Sequence, residues 1–182
     1  GSLTGGDIYR GDLATGTGSL FIDVSDRAAV GMRVDEERDL LFVAGLVTGH
    51  VYVYSTVDGS EVADVVIVYP HWGTEYDPTP FANQKKLAHM AIDAGADMVI
   101  GNHAHWAAAM EIYGGKPIWY ALGNFVFDQT WSEPTMEGIT LELTFRGTEL
   151  AQVHIRPHII LDKAQPNFLD PAGDGRVVMG QV

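Results

Sequence analysis

The sequence contains no cysteine, few basic residues and no long apolar run, and each absence narrows what the chain can do. Without thiolates there are no disulfides and no sulfur ligands, so any metal must be bound by His, carboxylate or amide groups. Lys and Arg number 11 against 24 Asp and Glu, which gives a formal net charge of −13. Such a surface repels phosphate backbones, and we predict no nucleic-acid partner. No apolar run reaches the roughly 18 residues that cross a bilayer, so we predict no membrane span in this sequence.

The 182 residues are 46% hydrophobic, enough to build the core of one ordinary domain or two small ones. Up to residue 63 the pattern is that of short strands separated by turn residues, without a convincing helical period. The β-rich runs, which predict an antiparallel meander, cover residues 7–10, 19–24, 29–34, 40–44 and 50–54.

From residue 64 the pattern changes. Residues 64–69 form a continuous apolar run, as expected of a strand buried on both faces. Apolar residues then recur at helical spacing over 81–94, with Gly95 in the position of a C-terminal cap, and residues 98–100 form a second short strand. This order predicts a βαβ-like unit. Further strands are predicted at 110–113, 117–122, 138–146 and 149–160, and an irregular tail from Asp162.

Three of the seven histidines directly follow the two buried strands of this unit. His71 comes after the first, and His103 and His105 come after the second. Ligands of open α/β sheets bind beyond the carboxyl ends of the strands, so parallel pairing would bring these three imidazoles together. A His-x-His pair can face one ion only if the backbone bends, and we expect Gly101 and Asn102 to allow this bend. Neutral imidazole suits Zn, Mn, Fe, Co or Ni, while a hydrogen-bonded structural role is the alternative for each ring.

Three motifs in this half resemble those of one family. They are Pro-His-Trp-Gly-Thr-Glu-Tyr at 70–76, the stretch from Asp-Ala-Gly-Ala-Asp to Gly-Asn-His-Ala-His within 91–105, and Lys-Pro-Ile-Trp-Tyr-Ala-Leu-Gly-Asn-Phe at the start of 116–129. In this order they resemble the C-terminal half of the CapA (poly-γ-glutamate capsule synthesis) family of calcineurin-like metallophosphatases. The resemblance covers about residues 64–180.

The resemblance implies half of a metallophosphatase-like sandwich, of α+β or α/β class, in which a mixed sheet carries at least one helix. It implies that His71, His103 and His105 bind a divalent metal (Mn, Zn or Fe), with one ion expected rather than two. Glu75 and His103 are the expected proton-transfer groups. Trp72, Asn102 and Asn124 are expected to support a metal ligand or to face the substrate, although a role as a turn residue bonded to its own backbone is an equal alternative for Asn124.

The N-terminal half of that family has no counterpart here. Residues 1–63 resemble strands of a regucalcin-like or NHL-like β-propeller instead, which indicates a natural or artificial fusion with residues 64–182. The two segments are expected to form separate domains or to pack as one globular unit.

Two functions therefore stay open. The first is a metal-dependent hydrolase of phosphoester or related bonds, acting on a small-molecule or polymer substrate. The second is a non-catalytic module or recombined scaffold with vestigial histidines. A half-sandwich leaves an apolar face, which a homo-oligomer could cover. The resemblance implies a cell-envelope or extracellular location.

Overall fold

The computed structural model describes residues 8–12, 15, 17–22, 29–36, 39–45 and 50–182. Asp7, Asp23 and Val24, which were predicted at strand ends, lie outside the described residues. The chain divides into two units, residues 1–66 and 67–182, against a predicted boundary after residue 63.

Antiparallel strands build the first unit. They are β1 (Ile8–Asp12), β2 (Thr17–Ile22), β3 (Ala29–Asp35), β4 (Leu40–Gly45), β5 (His50–Ser55) and β6 (Glu61–Val68), of which the last continues into the second unit. Strands β1 and β2 pair only with each other, while β3, β4, β5 and β6 pair in sequence order. The predicted meander is thus confirmed for β3 to β6, and its propeller-like character stays a prediction. Alternate residues of these strands form a core that contains Ile22, Leu41, Val43, Tyr52 and Tyr54.

A parallel βαβ unit opens the second unit, as the sequence predicts. The end of β6 pairs in parallel with β7 (Met98–Ile100), with Ile67 opposite Met98. Helix α1 (Ala82–Asp93) connects the two strands. All three residues of β7 are buried, as its short apolar run predicts. The prediction that residues 64–69 are buried on both faces is wrong, because only Val65 is buried there and Tyr69 is 64% exposed.

The ends of α1 follow from local chemistry. At its start the Phe81 N–H donates to Gln84 Oε1 at 3.1 Å, which is the reverse bond of a capping box. At its end Gly95 has φ 111° with open space around its Cα, so the predicted glycine cap is confirmed. Gln84, Ala88 and Ile92 form the buried stripe, four residues apart.

The remaining elements extend this framework. Strand β9 (Lys116–Trp119) lies parallel to β7 and antiparallel to β8 (Met110–Tyr113), and β10 (Glu137–Arg146), β11 (Glu149–Leu161) and β12 (Gln165–Phe168) form a separate antiparallel sheet. Met98, Val99, Ile118, Trp119 and Tyr120 are almost completely buried between these elements.

The α+β class, with a mixed sheet, a helix and a preceding antiparallel meander, is confirmed. The prediction of an irregular tail is wrong, because β12 and the short helix α3 (Arg176–Met179) lie there. Strand β12 forms by pairing with β11, a contact that local composition does not encode. The helix α2 (Glu133–Met136), also not predicted, begins with Pro at its second position. In the described part of the chain, no helix is long and apolar enough to cross a membrane.

Candidate functional site

Parallel pairing continues past the ends of β6 and β7 and places the two histidine segments side by side. The Asn102 N–H donates to the Pro70 carbonyl at 3.0 Å, and the Trp72 N–H donates to the Asn102 carbonyl at 3.1 Å. His71 therefore lies next to Asn102 in a parallel bridge. These backbone hydrogen bonds bring the two histidine segments together at this edge of the sheet, as the sequence predicts.

Gly101 allows close packing of the backbone and does not make the bend between the second strand and its two histidines. Its N–H donates to the Trp119 carbonyl at 2.7 Å, and a Cβ at this position would lie 2.2 Å from the Tyr120 carbonyl oxygen and 2.4 Å from Trp72 Nε1. No side chain fits there. The Trp72 indole also donates to the Tyr120 carbonyl at 3.0 Å, which fixes the segment that carries His71.

The bend itself is made by the histidines. His103 has φ 100° and His105 has φ 60°, both in the region that L-residues other than glycine rarely adopt. Ala104 between them is buried, and its carbonyl accepts the Tyr76 N–H at 2.8 Å. Strain of this kind costs on the order of 1–3 kcal/mol per residue and clusters at functional sites. The expectation that Gly101 and Asn102 make the bend is thus corrected.

The three imidazoles line one cavity of about 310 Å³. His103 Nδ1 lies 2.9 Å from His71 Nε2, so one ring donates a hydrogen bond to the other. His103 and His105 have ring centroids 6.2 Å apart. The cavity is lined by Tyr69, Pro70, His71, Asn102, His103, His105, Gly123 and Asn124.

Asn124 orients His105. The Asn124 Nδ2 donates to the Thr135 carbonyl at 2.9 Å, and because a carbonyl can only accept, this bond fixes which way the amide points. The Asn124 Oδ1 then accepts from His105 Nδ1 at 2.8 Å. In neutral His105 the lone pair is therefore on Nε2.

A fourth histidine, on β11, supports Asn124 from the core. His158 is 1% exposed, and its Nε2 donates to the Asn124 carbonyl at 2.7 Å. Burial lowers the pKa of His158 below its usual range, against the hydrogen bonds to the Asn124 and Arg156 backbones, which act to raise it. Burial thus favours the neutral form of the ring.

Aromatic side chains flank His105. The Tyr76 ring stacks on it at a centroid distance of 5.8 Å, and the Phe127 ring lies 5.3 Å away. Trp131 meets Tyr76 edge-on at 4.7 Å and is 60% exposed. These rings form a partly exposed apolar rim beside the cavity.

Not every predicted site residue lies in the cavity. Asn102 and Asn124 line it, whereas Glu75 is exposed and does not. Trp72 is half-buried and stacks on Tyr120 at 5.9 Å, outside the lining.

The distance between the His71 and His103 nitrogens can be compared with the distance between two nitrogen ligands of one metal ion. Two nitrogen ligands of a tetrahedral ion, each 2.0–2.1 Å from it, lie about 3.3 Å apart. The 2.9 Å between His71 Nε2 and His103 Nδ1 is close to this value. Nevertheless, among the described residues no group of three or more His, Asp or Glu side chains is arranged so that it could hold a metal ion. The spacing of the pair is thus compatible with two ligands of one ion, and no third ligand is arranged with them among the described residues.

Sequence reasoning missed several members of this arrangement. Tyr76 belongs to the same sequence motif as His71. Membership of that motif could have identified it as a residue near the site. Tyr69 and Gly123 line the cavity close to the predicted His71 and Asn124, so their positions in the sequence were also a signal. His158 supports the cavity through a contact between segments distant in sequence, which nothing local marks.

Known proteins match the same part of the chain. The sequence profile of the family described as "Bacterial capsule synthesis protein PGA_cap" matches residues 52–129, which begins earlier than the predicted resemblance at about residue 64. The PGA biosynthesis protein CapA of Bacillus subtilis is 38% identical over 106 residues, covering 58% of this chain and 25% of that protein. The capsule biosynthesis protein CapA of Bacillus anthracis is 40% identical over 108 residues, covering 58% of this chain and 24% of that protein.

A probable polyglutamine synthesis accessory protein of Mycobacterium tuberculosis is 36% identical over 106 residues, which is 58% of this chain and 25% of its own length. The chain thus spans about a quarter of the length of these curated relatives. The predicted resemblance to CapA is confirmed: residues 52–129 match the PGA_cap family of bacterial capsule synthesis proteins.

Proposed function

We propose that this chain carries the histidine half of a metal-dependent hydrolase that acts on phosphoester or related bonds. The observation that carries the proposal is the 2.9 Å approach of His71 Nε2 to His103 Nδ1 in a cavity that His105 also lines. A divalent ion there would polarise the scissile group and lower the pKa of a water molecule. The curated relatives bear capsule-synthesis names, and for the present chain their activities and substrates are part of the proposal.

The residues of the chain have distinct parts in this proposal. His71 and His103 supply two nitrogen ligands, and His105 supplies a third through Nε2. Asn124 holds His105 in the tautomer that leaves Nε2 free to bind, as outer-shell partners of metal-binding histidines do. Asn102 contributes to the wall and faces the substrate.

Glu75 and His103 are the candidate proton-transfer groups. Glu75 is exposed and outside the cavity lining, so its role in proton transfer requires a movement of its turn. His103 already lies in the cavity and is the better candidate.

A non-catalytic module with vestigial histidines is the second candidate. What favours it is that His71 and His103 hydrogen-bond to each other and that none of the described residues lining the cavity is a carboxylate. A measurement of metal binding distinguishes the hydrolase from the non-catalytic module.

The test is calorimetric titration of the chain with Mn²⁺ and Zn²⁺, supported by elemental analysis of the purified protein. We expect about one ion per chain, and loss of binding in the His103→Ala/His105→Ala double variant. Asn124→Ala should weaken binding by roughly 10- to 100-fold.

The matched control replaces two histidines outside the cavity, His89→Ala/His154→Ala, and should bind as the unaltered chain does. Equal binding by both double variants would contradict the proposal and leave the non-catalytic module.

A further inference from the structure

A second cavity, also of about 310 Å³, opens directly beside the histidines. It shares three lining residues with the histidine cavity: Tyr69, Asn102 and Gly123. Because these residues belong to both linings, the two cavities are adjacent. The character of the two spaces differs, since the first is lined by imidazoles and amides and the second mostly by apolar side chains, aliphatic or aromatic.

The second cavity is built from one face of β10 and the end of β7. Ile139, Leu141 and Leu143 alternate along β10, so all three face the same side of the sheet. Ile100 and Ile139 are buried and form the floor, whereas Tyr69 and Phe125, 64% and 49% exposed, stand at the mouth. An apolar space of this size with few polar groups is typical of a small-molecule subsite.

A buried donor lies at the junction. Asn102 Nδ2 is inaccessible to solvent and has no hydrogen-bond partner within the described part of the chain. The backbone of Asn102 is fixed by bonds to Pro70 and Trp72, so the residue stays at the junction while its side chain is free to rotate. Buried amide groups without partners are rare in folded proteins and call for an explanation such as an absent ligand. A rotation that turns Nδ2 into either cavity would let an acceptor oxygen of a ligand provide the partner.

We propose that the second cavity binds the apolar part of the substrate, and that the substrate is an amphipathic phosphoester with an alkyl or aryl group. Its phosphate lies at the histidines, an ester or phosphoryl oxygen accepts from Asn102, and its hydrocarbon part fills the space above Ile100 and Ile139. The placement of the phosphate rests on the proposed function, whereas the hydrocarbon subsite does not. A charged or strongly polar substituent is excluded from this subsite, because its desolvation is not compensated there.

The test uses a series of alkylphosphonates, from methyl- to octylphosphonate, titrated calorimetrically into the full chain with and without Mn²⁺. Each methylene that enters the cavity should tighten binding by about three- to fourfold until the space is filled. This chain-length dependence is a property of the cavity, so it should appear in both metal-loaded and metal-free protein. Mn²⁺ should shift all members of the series by a common factor.

Two variants separate the hydrocarbon subsite from the polar junction. Leu141→Asn should flatten the dependence on chain length, while Leu161→Asn, at an exposed leucine of β11 outside the lining, should leave it unchanged. Asn102→Ser should weaken every phosphonate by about tenfold without altering the dependence on chain length. If Leu141→Asn fails to fold, the series on the unaltered chain still decides the question.

The outcomes are distinguishable. Chain-length dependence without turnover of hexyl phosphate in Mn²⁺ would support the subsite and contradict the hydrolase. Turnover with affinities independent of chain length would overturn the subsite and leave the hydrolase standing. An equal loss of chain-length dependence in Leu141→Asn and Leu161→Asn would also overturn the subsite. So would a dimer, detected by sedimentation, that does not bind the phosphonates because a second copy of the chain closes the cavity.

Discussion

Two groups of histidines in the second unit differ in what they contact. The cavity histidines, His71, His103 and His105, contact another imidazole or an amide. The paired histidines are His89, His154 and His158. His89 and His154 meet carboxylates across neighbouring elements, at 2.6 Å to Glu111 and 3.8 Å to Glu142, and His158 donates to a buried carbonyl.

The difference lies in how each group is held in place. His89 and His158 sit on α1 or on a regular strand and hydrogen-bond to a carboxylate or to a carbonyl, whereas His154 is too far from Glu142 for a hydrogen bond. His103 and His105 are held by a backbone with positive φ. A histidine that is held at the cost of backbone strain is the better candidate for a functional role. Three changes, of decreasing expected effect, test this distinction.

The largest effect is expected from the backbone packing under the cavity. Gly101→Ala places a Cβ 2.2 Å from the Tyr120 carbonyl oxygen, so the strand end or the Trp72 segment must move. We expect the free energy of unfolding to fall by about 3 kcal/mol or more. All four tryptophans lie in the second unit, so urea denaturation followed by tryptophan fluorescence reports on that unit.

Gly180→Ala is the control for this change. Gly180 has φ −74°, and the nearest atom to its added Cβ would lie 3.3 Å away, so little loss is expected. Equal losses in the two variants would mean that the cavity segment does not depend on the close approach at Gly101.

An intermediate effect is expected from His158. Burial lowers its pKa, so the unfolded chain binds a proton more readily than the folded chain does as pH falls below the ordinary value of 6.5. Its contribution to stability is complete above that pH and is lost as pH falls through the lowered pKa. His158→Leu should cost about 1–3 kcal/mol at neutral pH, because the Asn124 carbonyl loses its donor.

His158→Gln keeps an N–H donor and removes the titrating ring, so the decline of stability below pH 6.5 should become shallower. Urea midpoints measured at several pH values check this. The exposed His154→Gln serves as the control on the same strand, and a similar flattening in that variant would show that His158 is not the titrating group.

These comparisons also separate what the sequence could predict from what it could not. The parallel β6–α1–β7 unit and the convergence of His71 with the His103 segment followed from two apolar runs, an amphipathic stretch and Gly95, which are local signals. Three other features depend on contacts made only after folding: the positive φ of His103, the exposed position of Glu75 and the support from His158. A sequence motif marks which residues lie near a site, whereas the backbone dihedral angles and the distant strand β11 decide which of them enter it.

The smallest effect is expected from the cluster on the helix side of the sheet. Glu111 Oε1 accepts from Tyr120 Oη at 2.7 Å and lies 2.6 Å from His89 Nε2. Partial burial acts to raise the pKa of Glu111, but the hydrogen bonds from Tyr120 and His89 outweigh it and lower the pKa. The contribution of Glu111 to stability is therefore present above pH 4.5, the ordinary value, and is lost as pH falls through the lowered pKa.

Because both side chains are about one-third exposed, the coupling between His89 and Glu111 should be modest, about 0.5–1 kcal/mol. A double-mutant cycle with His89→Ala and Glu111→Gln, measured by urea denaturation at pH 7, gives this coupling directly. The cross-strand pair of His154 and Glu142, with 3.8 Å between its charged atoms and both side chains mostly exposed, is the matched control and should show almost none. A coupling at Glu111 no larger than at Glu142 would remove His89 from the paired group, and the contact seen there would then have no part in holding α1 to the sheet.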